Sequence, residues 1–197
     1  MTGRRFGTLF LVNIILVGMP GSGKTTLGRL LSRRLGMPFA DIDQVIEARL
    51  GCSIREYFDR EGEQAFRDLE QQTVDELTRQ STGVISTGGG SVLRPVNRDM
   101  LRERGRVFYL RATPEDLYRR LRHDTTRPLL QVADPMARLR TLFKERDPLY
   151  REAAHHVLET NRPSVSHLLQ RIMTQLELDG LLPPQAPAAP ASNSAGA

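Results

Sequence analysis

A glycine-rich segment at residues 18 to 25 constrains the fold of this chain more than any other feature. It reads Gly-Met-Pro-Gly-Ser-Gly-Lys-Thr, the Walker A pattern of a glycine, four residues, and then Gly-Lys-Ser/Thr. An apolar run from Leu9 to Val17, interrupted by Asn13, precedes it, and leucines at helical spacing follow it through Leu35. A strand, a glycine loop and a helix in this order direct backbone N–H groups at a phosphate. The segment therefore predicts a nucleotide phosphate site in an α/β fold.

The residue types within this loop predict how it binds the nucleotide. Glycines permit the tight turn and a close approach of the backbone. The ammonium of Lys24 can reach the β- and γ-phosphates, and the hydroxyl of Thr25 can bind Mg²⁺. The predicted phosphate-binding residues are Gly21, Ser22, Gly23, Lys24, Thr25 and Thr26.

Length and composition fit one domain of 197 residues. The formal charge of +5 decides little, because both an enzyme for polyanions and a nucleic-acid binder carry excess arginine. Cys52 is the one cysteine in the sequence, which excludes an intrachain disulfide and favours the cytoplasm. Arg4 and Arg5 resemble an export signal, but the apolar run continues directly into Gly18 and is too short for a membrane span. We therefore expect neither export nor membrane insertion.

Strand and helix patterns alternate along the chain, which predicts a parallel sheet covered by helices on both faces. Ligands of such sheets bind beyond the carboxyl ends of the strands. The predicted strands are 11–17, 37–41, 83–87, 106–111 and 155–159. The predicted helices are 24–35, 43–50, 63–79, 95–104, 114–122, 135–146 and 164–178. The expected fold is a three-layer P-loop kinase domain with a central five-stranded parallel sheet.

Three segments stand apart from this alternation. Residues 123–134 are irregular and lie between helices, which is typical of a mobile lid. Residues 1–10 form an extension before the first strand. Residues 181–197 are rich in proline and alanine without charge, and we predict that they are a disordered tail. The domain itself is expected over 11–180.

Further motifs follow the phosphate loop in a fixed order. They are Asp41-Ile42-Asp43, Phe66-Arg67-Asp68-Leu69-Glu70, Gly88-Gly89-Gly90, Arg127-Pro128-Leu129-Leu130 and Arg146-Asp147-Pro148-Leu149-Tyr150. In this order and spacing they resemble the shikimate kinase family over about residues 11 to 178. The resemblance implies transfer of the γ-phosphoryl group of ATP, with Mg²⁺, to the 3-hydroxyl of shikimate, a step of chorismate and aromatic amino-acid biosynthesis.

The resemblance also implies roles near the reacting groups. Asp43 would bind the ring hydroxyls beside the attacking oxygen; from the residues alone it could equally be a helix N-cap. Asp41 would act on Mg²⁺ together with Thr25, since the third strand ends without the acid usual in such folds. Lys24, Asp43 and Arg127 would be the catalytic residues, with Arg127 closing over the phosphates.

The substrate segment would lie at about 43–80. Arg67 would pair with the shikimate carboxylate and be held by Glu70. From the residues alone a surface ion pair is the commoner explanation of that spacing, and only the flanking motifs favour the substrate role. Arg146 would meet the same carboxylate. The remaining expected contacts are Phe58 and Phe66 against the ring, Gly88, Gly89 and Gly90 through their backbone, and Arg120 and Arg162 around adenine.

Three alternatives remain open from the sequence. A kinase for another polyhydroxy acid, such as gluconate, would share the phosphate loop. A catalytically silent nucleotide-binding module would keep the fold, and a basic nucleic-acid binder would need its arginines on one face. We expect a small-molecule substrate, no nucleic-acid or membrane partner, and a monomer in the cytoplasm.

Overall fold

The computed structural model describes residues 12–80, 82–122, 132–160 and 164–183. Its strands are β1 (Asn13–Val17), β2 (Phe39–Asp41), β3 (Val84–Ser86), β4 (Gly105–Arg111) and β5 (His156–Glu159). They form one five-stranded sheet in the order β2-β3-β1-β4-β5, and every neighbouring pair is parallel. The predicted parallel sheet is therefore confirmed. The last five residues of the apolar run, Asn13–Val17, form the central strand β1, and all five are buried.

Helices cover both faces of this sheet. They are α1 (Lys24–Leu35), α2 (Ile42–Leu50), α3 (Ile54–Gln80), α4 (Pro95–Arg104), α5 (Pro114–Leu121), α6 (Pro135–Ala153) and α7 (Val165–Leu178). Successive side chains of a strand point to opposite faces. Ile14 and Leu16 of β1 therefore pack with α1 and α7, whereas Ile15 and Val17 pack with α2 to α6. Two apolar clusters, one on each face, make the three layers that the sequence predicts.

The helix before β3 begins earlier than predicted. It runs from Ile54 rather than residue 63, and Gly62 interrupts it with a φ of 84° and a ψ of 171°. Two helical segments thus meet at a residue whose left-handed φ favours glycine. The sequence pattern indicated the second segment alone because Gly62 breaks the helical periodicity there.

The helix α6 ends later than predicted. It continues past Pro148 to Ala153, although the sequence predicts its end at residue 146. A proline inside a helix removes one backbone hydrogen bond. The turn after Pro148 is nevertheless retained, because Tyr150 and Ala153 are completely buried there. Tertiary packing offsets the local cost.

The buried side-chain amide of Asn13 lies at the amino-terminal end of β1, opposite the carboxyl ends where the cavity opens. The side chain of Asn13 donates to the carbonyl of Thr78 at 3.0 Å and to that of Arg104 at 3.4 Å. Its oxygen accepts from the backbone N–H of Gly83 at 3.1 Å. Asn13, which interrupts the apolar run, thus supplies hydrogen-bond partners to backbone groups from three other parts of the chain.

The packed chain extends slightly beyond the predicted domain end at residue 180. Leu182 is buried against the cluster formed by α1 and α7, and its backbone N–H donates to Leu176. The boundary of the predicted tail therefore moves to Pro183, and residues 184–197 lie outside the described part of the chain, as does the predicted extension at 1–10. Among the helices of the described residues, none is both long and apolar enough to cross a bilayer.

Candidate active site

A cavity of about 390 Å³ opens at the carboxyl ends of the strands. One side of it is the loop between β1 and α1, and the other carries Asp43 and Gly89. Its lining residues are Pro20, Gly21, Gly23, Lys24, Thr25, Thr26, Asp41, Asp43, Thr87, Gly89, Arg120 and Leu121. The phosphate loop therefore shares one cavity with two of the predicted acceptor residues, Asp43 and Gly89, as expected for the carboxyl ends of a parallel sheet. The other predicted acceptor residues are not part of its lining, namely Phe58, Phe66, Arg67, Glu70, Gly88, Gly90 and Arg146.

The phosphate loop is already folded for anion binding. Gly21 and Gly23 have φ values of 80° and 97°, which explains why the loop uses glycine there. Lys24 is only 8 % exposed, and its ammonium donates to the carbonyls of Gly18 at 2.8 Å and Met19 at 3.1 Å. The lysine is held at the mouth of the loop, where phosphate oxygens can replace these carbonyls.

Thr25 and Asp41 meet directly across the cavity floor. The Thr25 hydroxyl donates to Oδ2 of Asp41 at 2.8 Å, and Asp41 is 7 % exposed. A hydroxyl and a carboxylate are hard oxygen donors of the kind that Mg²⁺ prefers. Within the described residues no group of three or more His, Cys, Asp or Glu side chains could enclose a metal. The donor set fits an ion that completes its coordination with phosphate and water.

Asp43 faces the cavity from the first turn of α2. The N-cap position of that helix is Asp41, so the alternative of Asp43 as an N-cap is wrong. Burial raises the pKa of Asp43 to about 6, the neighbouring Asp41 carboxylate adds to the rise, and the Lys24 ammonium opposes it. The carboxyl group thus ionises close to neutral pH, as suits a proton acceptor.

Arg67 is anchored by two carboxylates of α3. Its Nη1 contacts Oε2 of Glu70 at 2.6 Å, and its Nη2 contacts Glu63 at 3.2 Å. Glu70 is 1 % exposed and also accepts from the hydroxyl of Ser91 at 2.7 Å. The alternative of a surface ion pair does not describe this arrangement, because Glu70 is buried and linked to the loop after β3.

The two phenylalanines stack beneath Arg67. The ring centroids of Phe58 and Phe66 are 4.6 Å apart, and the Arg67 guanidinium carbon lies 5.8 Å and 5.2 Å from them. Phe66 is buried in the core, whereas Phe58 is partly buried at its margin. Both rings therefore fix the position of the arginine, and Phe66 also belongs to the apolar core.

A side chain on any of the three glycines after β3 would displace a neighbouring residue of the site. A Cβ atom on Gly88 would lie 2.5 Å from Oδ1 of Asp43, and one on Gly90 would lie 2.5 Å from Nη1 of Arg67. A Cβ on Gly89 would lie 2.7 Å from Pro20 of the phosphate loop. The glycine loop thus touches both halves of the cavity with no side chain between them.

Arg146 reaches the same loop from α6. Its Nη1 donates to the carbonyl of Gly89 at 3.0 Å. The hydroxyl of Tyr150, one helical turn further on, donates to the same oxygen at 2.6 Å. No role for Tyr150 was predicted from the sequence. Its spacing of four residues from Arg146 places both side chains on one helix face only if the helix continues past Pro148, and the sequence predicts that the helix ends at residue 146.

The predicted nucleotide arginines are described in part. Arg120 lines the cavity, and its guanidinium donates to Gly21 and to Thr160. Arg127 and Arg162 lie outside the described residues, as do residues 123–131 of the predicted lid. The other lining residues that sequence reasoning missed are Pro20, Thr87 and Leu121, which no charge or glycine pattern marks.

A glycine-rich phosphate loop that shares a cavity with Asp41, Asp43 and Arg120, at the carboxyl ends of a five-stranded parallel sheet, is typical of the P-loop kinase fold. The model of the family described as shikimate kinase matches residues 20–177 of the chain. The chain belongs to the shikimate kinase family, which comprises ATP-dependent phosphotransferases with an alcohol group as acceptor.

Close relatives support this membership over nearly the whole chain. The shikimate kinase of Paracidovorax citrulli is 59% identical over 176 residues, covering 88% of this chain and 96% of the relative. The shikimate kinase of Ralstonia nicotianae is 54% identical over 180 residues, covering 91% of this chain and 95% of the relative. The family match itself spans residues 20–177, which include the cavity lining and the contacts of Arg67, Arg146 and Tyr150.

A solved structure has the same fold. It is a shikimate kinase from Acinetobacter baumannii in complex with shikimate, 45% identical, with a TM-score of 0.82. The match covers 87% of this chain and 96% of that one. The P-loop kinase fold predicted from the sequence is thereby confirmed.

Proposed function

We propose that the chain transfers the γ-phosphoryl group of ATP to the 3-hydroxyl of shikimate, which gives shikimate 3-phosphate and ADP. This reaction is a step in chorismate and aromatic amino-acid biosynthesis. The observation that carries the proposal is the shared cavity, which has a volume of about 390 Å³ and is lined by both Asp43 and the phosphate loop. Shikimate presents hydroxyls and a carboxylate, which correspond to Asp43 on one side and to Arg67 and Arg146 on the other.

On the phosphate side, catalysis consists of positioning and electrostatic stabilisation. Backbone N–H groups of Gly21 to Thr26 and the N-terminus of α1 bind the phosphates. Lys24 exchanges the carbonyls of Gly18 and Met19 for oxygens of the transferred group. No covalent enzyme intermediate is required, because the acceptor oxygen attacks in line with the leaving ADP.

Asp43 accepts the proton of the attacking hydroxyl at a carboxylate oxygen. Its raised pKa of about 6 suits this role, because a base is most effective when its pKa lies near the working pH. The hydroxyl oxygen gains nucleophilic character as its hydrogen bond to Asp43 shortens. Gly88 permits this approach, since a side chain there would overlap Oδ1 of Asp43.

Thr25 and Asp41 would hold Mg²⁺, Thr25 through its hydroxyl and Asp41 through a bound water. Mg²⁺ supplies charge neutralisation at the phosphates when it is bound. The 2.8 Å contact between the two side chains supports this assignment. Titration of Mg²⁺ against Asp41→Asn, with nucleotide binding measured calorimetrically, tests the assignment independently of turnover.

Arg67 and Arg146 approach the glycine loop from α3 and α6, and both would bind the shikimate carboxylate. The ring would lie over Phe58 and Phe66, and Gly88, Gly89 and Gly90 would offer their backbone. Glu70 would keep the Arg67 guanidinium in position through the 2.6 Å ion pair.

The remaining nucleotide contacts extend the prediction from the sequence. Arg120 and Arg162 would pack around adenine, and Arg127 would close over the phosphates with the lid at 123–134. Closure would exclude water that could otherwise hydrolyse ATP. Hydrogen exchange in this segment, with and without both ligands, is expected to slow on binding; equal exchange rates would contradict a closing lid.

We further propose that the enzyme is a cytoplasmic monomer whose partners include neither nucleic acid nor membrane. Membership of the shikimate kinase family supports this. Light scattering of the purified chain over a hundredfold concentration range is expected to give the mass of one chain. Binding to duplex DNA and to anionic vesicles is expected to be undetectable at 0.15 M salt, and binding to either would contradict the proposal.

The deciding experiment measures ADP release with shikimate, gluconate, and water alone as acceptors. Turnover is expected with shikimate, and mass spectrometry and NMR of the product should place one phosphate on the 3-oxygen. A preference for gluconate would favour the alternative kinase. Absence of turnover with ATP and shikimate, despite nucleotide binding, would favour a silent binding module.

A further inference from the structure

The carbonyl oxygen of Gly89 has two donors from the same helix face. The Tyr150 hydroxyl lies 2.6 Å from it and Nη1 of Arg146 lies 3.0 Å from it. A carbonyl oxygen has two lone pairs, so both bonds can form together. The sharing matters because the two donors differ in what else they contact.

Arg146 is weakly held. In the described part of the chain, no carboxylate lies within 4 Å of its guanidinium, whereas Arg67 has both Glu63 and Glu70. Its Nε is buried and, among the described atoms, has no hydrogen-bond partner. The partners of Arg146 in the described part of the chain, the Gly89 carbonyl and the Tyr150 hydroxyl, are neutral. The arginine can therefore move to an anion at small cost, because a charged pair replaces neutral acceptors.

Tyr150 is firmly held. Its side chain is completely buried, and its ring stacks on Tyr109 with centroids 4.9 Å apart. Burial raises the pKa of Tyr150 above its usual range, so the hydroxyl stays protonated and remains a donor at any working pH. Tyr150 therefore keeps its bond to Gly89 when Arg146 leaves.

We propose that Tyr150 is a positioning residue for acceptor binding, which keeps the Gly89 carbonyl bonded so that Arg146 can leave it for the acceptor carboxylate. The inference rests on the proposed function, which assigns Arg146 to that carboxylate. Without the Tyr150 hydroxyl, movement of Arg146 would leave the Gly89 carbonyl without a hydrogen-bond donor. The free-energy cost of that lost bond would weaken acceptor binding.

A double-mutant cycle with Tyr150→Phe and Arg146→Ala tests the inference. Tyr150→Phe is expected to raise the KM for shikimate roughly five- to thirtyfold and to leave the KM for ATP unchanged. In the Arg146→Ala background, Tyr150→Phe is expected to have no further effect on the shikimate KM, because the arginine no longer leaves the carbonyl on binding. A loop distorted by loss of the hydroxyl would instead show the same effect in both backgrounds.

Tyr109→Phe is the matched control. It removes a hydroxyl from the stacked partner ring, but that hydroxyl donates to Asp147 at 2.8 Å rather than to the glycine loop. We expect its shikimate KM to stay within about twofold of the wild type. Thermal melts of all variants separate misfolding from a binding defect.

Two results would overturn the inference. One is an unchanged shikimate KM in Tyr150→Phe while Arg146→Ala raises it, which leaves the proposed function intact. The other is an equal rise from Tyr150→Phe with and without Arg146. If Arg146→Ala itself leaves the shikimate KM unchanged, both the inference and the assigned role of Arg146 fail.

Discussion

The two halves of the cavity are assembled in different ways. The phosphate loop itself is one continuous segment, in which the Lys24 ammonium binds carbonyls five and six residues before it. Two side chains from other elements, Asp41 and Arg120, contact this loop. The acceptor half joins residues far apart in sequence, since Ser91 contacts Glu70 across 21 residues and Arg146 contacts Gly89 across 57. The first half is determined by local sequence, and the second depends on how α3 and α6 pack.

This difference separates the effects that substitutions should have. A variant in the phosphate half should lower turnover without altering acceptor binding, because its contacts are local. A variant in the acceptor half should change acceptor binding and leave the nucleotide alone. Turnover and acceptor binding, measured separately in variants of each half, test this separation.

Asp43→Asn should have the largest effect, because Asp43 acts where the two halves meet. Loss of the proton acceptor is expected to lower kcat by roughly 10²–10⁴. In the wild type, kcat/KM for shikimate should fall below pH 6, since the pKa of Asp43 is about 6. Initial rates across pH 5 to 9 test this; a wild-type profile that is flat through pH 6 would remove Asp43 from catalysis.

The same carboxyl group links pH to stability. Its pKa in the folded protein, about 6, exceeds its ordinary value of 3.8, so the folded state binds the proton more tightly. The contribution of Asp43 to the free energy of unfolding should therefore fall as the pH rises from 3.8 to about 6 and then level off. His155, whose pKa burial lowers to about 4, contributes with the opposite sign over this range but does so in both proteins. The difference in denaturant midpoint between the wild type and Asp43→Asn should therefore show the fall.

Lys24→Met should lower kcat by roughly 10²–10³ while the shikimate affinity stays unchanged. Methionine is chosen because Lys24 is buried. Its stem fills similar space without the charge, so the melting temperature should change little. A loss of shikimate binding in this variant would show that the two halves are not separable.

Arg67→Ala should raise the KM for shikimate roughly ten- to hundredfold and leave ATP binding intact. The guanidinium lies between α3 and the glycine loop, away from the phosphates. Separate calorimetric titrations with shikimate and with ATP analogues measure each affinity. Equal losses of affinity for shikimate and for the ATP analogue would contradict the assignment of Arg67 to the acceptor half.

Removal of residues 184–197 should have the smallest effect and defines the baseline. These residues carry no charge and no aromatic or large apolar side chain, so they offer neither half a binding group. The cut follows Pro183 because Leu182 is buried in the core. Stability should change by less than ~0.5 kcal/mol; a tenfold fall in kcat/KM would show that the tail contributes to the site.

The sequence predicted the phosphate half more fully than the acceptor half for a physical reason. Glycines at 21 and 23 are required by the backbone itself, so the Walker A pattern carries the geometry. The helix spacing likewise predicted that Glu70 lies beside Arg67. Contacts between separate elements, such as Arg146 with Gly89, leave no local pattern and emerged only from the folded chain.

Two local signals misdirected the helix bounds. Pro148 indicated a helix end, but burial of Tyr150 maintains the next turn. Gly62 concealed the helical segment that begins at Ile54. In both cases tertiary contacts outweigh local preference, and in the first the extended turn carries a residue of the acceptor half.

Asn13 has a consequence for the order in which the chain folds. Its hydrogen bonds span 65, 70 and 91 residues, so we expect them to form late in folding, once distant parts of the chain have met around β1. Contacts of such high sequence separation carry a large closure entropy and are typically late. Interactions made after the rate-limiting step slow unfolding without speeding folding. We therefore expect the Asn13 amide, at the end of β1 opposite the cavity, to lengthen the lifetime of the native state by slowing its unfolding.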